Sequence, residues 1–316
     1  MLKFFKHSYI AQLVVIVLLC VALWIPVFVS HNFSGGVFDI SSLAMTLFVF
    51  VLFGASVLFF NSMLSVNQLV TRNSSIGAFV FVLCMSTVPI QNEFYPFLIA
   101  CPIIMIVVQT IYLIYQVEKP EPYLMNAGFF LALASMFYFP SVILIIWVLL
   151  AMVIMNIKDV KHYLIPILGF AFPYFILFVF YYFKGTLIEN VKAYSLKFSE
   201  IGFEKLGITT SGMVVLILIF VFLCLSLVVI RSGNADNSVS TRKKVNATLW
   251  LFVFSFVMLF MQKPVMCNGL IFMTLAIFIS MALCYIRKSK LIDILLVLIM
   301  FAVLANQYLP LFGIKL

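Results

Sequence analysis

Two carboxylates stand in loops predicted on the outer side of the chain's apolar runs, Asp39 in HNFSGGVFDISS and Glu93 in PIQNEFYP. A carboxylate at a membrane surface can take a proton as a general base or help to hold a metal ion. His7, His31 and His162 are scattered and no His or Cys pair has ligand spacing, so no metal centre is predicted. There is no Ser/His/Asp set, Gly-rich phosphate loop or HExxH pattern, which leaves hydrolytic and nucleotide-dependent chemistry without support and predicts no cofactor. A third group lies in FYYFKGTLIENVKAYSLKFSEIGFEKLG, residues 180 to 207. Leu187, Val191, Tyr194, Phe198 and Ile201 recur at steps of four and three, the spacing of one helix face, so residues near 185–206 read as an amphipathic helix lying in the outer interface. Lys184, Lys192 and Lys197 on this segment would meet an anionic group such as a lipid phosphate.

The elements that must position these residues are membrane helices. Of 316 residues, 66% are apolar and 9% charged, more apolar surface than a soluble core of this size can hide. Apolar spans fall at 8–30, 42–61, 75–90, 96–116, 123–139, 141–156, 163–183, 208–230, 248–262, 267–286 and 291–309, about eleven helices of an all-α polytopic protein. The first run, Tyr9 to Val29, is longer than a signal-peptide core and is followed by no small-x-small cleavage site, so it reads as a retained helix. The third span is short and ends at Pro89, and only Phe139, Pro140 and Ser141 part the fifth from the sixth, which reads as a tight hairpin or a re-entrant pair.

With the N-terminus inside, most of the 19 basic residues fall in inner segments, and the 184–205 lysines are the main exception. The net charge of +9 therefore reflects membrane orientation rather than a nucleic-acid partner. Residues 231–247, polar and rich in Asn and Ser with Gly233 and Asp236, read as a cytoplasmic linker dividing a 1–230 module from three C-terminal helices in 248–316. Asp293 lies within pairing reach of Lys290, and Gln109, Asn126, Asn306 and Gln307 read as amides that bond neighbouring helices or line a cavity.

Three stretches then carry a family resemblance: NQLVTRNSSIGAFVFVLCMSTVP, MNAGFFLALASMFYFPSVILIIWVLLAMVI and HYLIPILGFAFPYFILFVFYYFKGTLIENV. Their order resembles the membrane module of the GT-C glycosyltransferases, which take sugars from polyprenyl-phosphate carriers on the outer face. The whole chain also resembles a family of polytopic inner-membrane proteins of similar length in Bacteroidota. The GT-C resemblance implies Asp39 as the acceptor-activating base, with Glu93 as a second candidate, and Lys184, Lys192 or Lys197 on the carrier phosphate. The first outer loop, about His31 to Ser41, is shorter than in those enzymes and carries one acid rather than an acidic pair. Two further readings stand beside it: a non-catalytic scaffold that binds an envelope protein partner, and a transporter or flippase of an amphipathic substrate.

Overall fold

The computed structural model describes residues 2–5, 10–33, 40–71, 74–87, 95–115, 117–190, 217, 224, 238–258, 269–285 and 290–309. Every regular element among them is helical: α1 (Leu2–Phe5), α2 (Ile10–Phe33), α3 (Ile40–Val66), α4 (Ile76–Met85), α5 (Tyr95–Ile114), α6 (Glu121–Phe137), a 3-10 turn at Phe139–Ile143, α7 (Leu144–Ile154), α8 (Val160–Phe183), α9 (Val239–Met258), α10 (Gly269–Tyr285) and α11 (Lys290–Tyr308). Four of them, in α2, α3, α5 and α8, are long and apolar enough to cross a membrane, and shorter apolar helices accompany them. The protein is an integral membrane protein of the all-α polytopic class.

The chain divides into two compact units, the first comprising Met1–Leu98, Ile208–Ser238 and Ile271–Leu316, the second Ile99–Gly207 and Val239–Leu270. In the first, Trp24 of α2 is fully buried against Phe50 and Phe53 of α3, and Phe81 of α4 stacks on Phe60. Helix α4 lies inside this aromatic cluster, with all ten of its residues buried.

In the second unit α6 ends at Tyr138, where the Ser141 amide and hydroxyl both donate to the Tyr138 carbonyl. Pro140 fits the first turn of the 3-10 segment that follows because its missing N–H leaves no unmet donor there. The Phe139-Pro140-Ser141 break read from the sequence is thus a 3-10 corner between α6 and α7.

Helix α9 begins at Val239, inside the stretch expected to be linker through 247. Thr241, Lys244, Val245 and Ala247 are buried, and packing of that face overrides the polar composition. Trp147 of α7 donates its indole N–H to the Ala247 carbonyl at 2.9 Å, and the Tyr112 hydroxyl of α5 shares a 2.6 Å hydrogen bond with that of Thr248.

Helices α3, α7 and α8 end in one way. A residue with positive φ, Gln68 (58°), Asn156 (69°) or Gly185 (70°), follows the cap. The next amide in each case reaches back, Leu69 to Leu64, Ile157 to Met152 and Thr186 to Tyr181. This is the Schellman arrangement, which satisfies carbonyls that a helix end leaves open.

Candidate functional site

Helices α6 and α8 run parallel, since their contacts advance together from Glu121–His162 to Ser135–Tyr174. Two glycines set the crossing. A Cβ on Gly128 would lie 2.0 Å from the Pro166 carbonyl oxygen, and one on Gly169 would lie 2.4 Å from that of Met125. Backbone meets backbone here, as at small-residue crossings in membranes. Pro166 and Pro173 sit in the contacting face of α8, and with Gly169 they are its only buried residues. Away from this face and its half-buried margins α8 is open, including Leu164, Ile167, Leu168, Phe172, Phe175 and Phe178.

That open face ends at Lys184, the C-cap of α8, whose ammonium lies 4.6 Å from the centre of the Phe180 ring. A cation at a helix C-terminus complements the negative end of the helix dipole, and the ring face adds to its hold. Lys184 remains exposed, and Gly185 turns the chain away into a helical turn at 187–190. Lys184 is the one predicted site residue among the described residues. Asp39, Glu93, Lys192 and Lys197 lie outside them, as does most of the expected 185–206 helix.

At the other end of the α6–α8 pair three titratable groups meet. His162 Nε2 lies 3.1 Å from Glu121 Oε1, and His162 Nδ1 lies 3.7 Å from Asp159 Oδ2. The imidazole is 17% exposed, against 49% for Glu121 and 78% for Asp159. Glu121, ahead of the apolar part of α6, has its carboxyl held below the usual range, first by its own backbone N–H and then by His162. The sequence reading passed over His162 as isolated. The i, i+3 spacing of Asp159 and His162 was the available signal, whereas Glu121 is 41 residues away.

In the first unit a polar frame surrounds α4. Asn61 of α3 donates to the Ser74 carbonyl at 3.1 Å and accepts the Ala78 amide at 3.2 Å. Ser75, at the N-cap, instead turns its amide and hydroxyl to the Phe5 carbonyl. At the far end Gln307 donates to the Ser86 carbonyl and Asn306 to the Thr87 carbonyl, each at 2.8 Å. Both amides therefore bond a neighbouring segment, one of the two roles read for them from sequence. Of the other two amides, Asn126 is exposed and Gln109 is partly covered.

No known protein-family model matches the chain, and no curated protein or solved structure matches it.

Proposed function

We propose that this membrane protein handles polyprenyl-phosphate-linked sugars in cell-envelope glycan assembly, in the manner of the GT-C glycosyltransferases its sequence resembles. The observation that carries the reading is α8, a helix open along nearly its whole length and ending in an exposed lysine. From Leu164 to Lys184 it rises about 30 Å, the depth of the hydrocarbon core. A branched isoprenoid chain would lie along Leu164, Leu168, Phe172, Phe175 and Phe178, with its phosphate at Lys184. With the N-terminus inside, that end faces outward, and Lys192 and Lys197 follow in the same segment.

In the reaction this implies, Asp39 or Glu93 takes the proton of an acceptor hydroxyl as its oxygen bonds the sugar's anomeric carbon. The bond from that carbon to the carrier phosphate breaks, and the phosphate leaves with its charge met by lysine. Asp39→Asn is expected to abolish glycan transfer at unchanged protein level. Unchanged surface glycans in both Asp39→Asn and Glu93→Gln cells would reject the enzymatic reading, and co-purification with a defined envelope protein would then favour the scaffold.

A further inference from the structure

The His162 cluster lies at the opposite end of α8 from Lys184 and serves no step of the proposed reaction. A neutral imidazole carries one N–H, so it can donate to one carboxylate only. With the proton on Nε2 it serves Glu121, and Nδ1 then turns a lone pair toward Asp159 Oδ2 at 3.7 Å. That nitrogen is buried without a hydrogen-bond partner. With the proton on Nδ1, the Glu121 bond is lost instead. Only the imidazolium attracts both acids at once.

Asp159 has a second place to go. It is the N-cap of α8, with extended backbone, yet its side chain caps nothing. An aspartate at this position ordinarily accepts an amide of the first turn, here that of Lys161, since the His162 amide already donates to the Asp159 carbonyl at 3.1 Å. The same carboxylate thus has two alternative partners, the imidazolium ring and its own helix start.

The neighbouring charges leave this choice to His162. Lys119 acts on Glu121 from the connection before α6. The Tyr163 hydroxyl is engaged by the Ile157 carbonyl at 3.0 Å. From α9, Lys243 reaches the Met155 carbonyl at 3.4 Å and lies over the Tyr115 ring. Glu118, Lys158 and Lys161 complete the charged groups of the flanking connections.

We infer that His162 is a proton-responsive clasp, holding Glu121 of α6 and Asp159 of α8 together when charged and releasing Asp159 to cap α8 when neutral. Gain or loss of the ring's proton therefore selects between the two partners of Asp159 at this membrane face. It acts locally, because the Gly128–Gly169 crossing holds the two helices together in either state.

The test is amide hydrogen exchange, corrected for intrinsic rates, on the full chain in lipid nanodiscs at about pH 5.5 and about pH 8. Residues 124–127, the first hydrogen-bonded amides of α6, should be about fivefold better protected in the wild type at the lower pH, the scale of an exposed ion pair. His162→Gln should have equal protection at both values. Equal protection in the wild type, or a pH response surviving in His162→Gln, would overturn the clasp. Should His162→Gln lose protection across 128–135 as well, Asp159→Asn decides: it leaves the Glu121 bond in place and should weaken the response, and an undiminished response would reject the proposal.

Discussion

Helices α4 and α8 treat their surroundings in opposite ways. All ten residues of α4 are buried, and amides from α3 and α11 meet its two ends. Helix α8 buries only Pro166, Gly169 and Pro173 of its 24 residues and satisfies its own C-terminus with a glycine turn. A short helix buried in an apolar environment cannot leave end groups unpaired, so neighbours must supply donors and acceptors. A long helix can be secured along one narrow stripe and present the rest of its surface to lipid. The first arrangement builds a core, and the second leaves a surface on which an amphipathic ligand can lie.

The largest expected effect is at that narrow stripe. Gly128→Leu places carbon on the Pro166 carbonyl, where only backbone could yield, and should cost about 3 kcal/mol or more. Loss of monodisperse protein in detergent gel filtration would register it; normal melting would show that the glycine contact does not hold α8. Next comes Asn61→Leu, which strips the Ser74 carbonyl and the Ala78 amide of one partner each and should cost about 2 kcal/mol by denaturant titration.

Asn306→Ala and Gln307→Ala should each cost about 1 kcal/mol. Because they serve adjacent carbonyls, the double variant should fall short of the sum. Smaller again is Glu121→Gln. The folded carboxyl is held below its ordinary range, so its contribution is present above the unfolded value near pH 4.3 and lost as pH falls through the folded one. Melting temperatures of wild type and Glu121→Gln should therefore differ slightly at neutral pH and converge in acid. Phe175→Ala, on the open face of α8, should change stability by less than about 0.5 kcal/mol, in contrast to the substitutions around α4.

Most of this architecture was legible in the chain because membrane helices announce themselves by length. The expected spans 8–30, 42–61, 96–116 and 163–183 correspond to α2, α3, α5 and α8. Asn306 and Gln307 were recognisable because amides in apolar helices seek polar neighbours. The Asn61 cap was not, since it depends on α3 lying beside the start of α4. Nor was the glycine crossing, which requires α6 and α8 to be parallel neighbours across the intervening α7. Neither helix carries that information by itself. The start of α9 was misread because polar residues at 239–247 resemble a linker until their buried face is known.

Whether α8 carries a lipid-linked substrate can be asked by photolabelling the protein in nanodiscs with a polyprenyl phosphate bearing a photoreactive group in its chain. Labels are expected to concentrate on peptides from 164 to 184, and Lys184→Glu should reduce them about fivefold, the worth of one lysine near an anionic headgroup. Labelling spread evenly over the open faces of α2, α3 and α8, and unchanged by Lys184→Glu, would contradict the account.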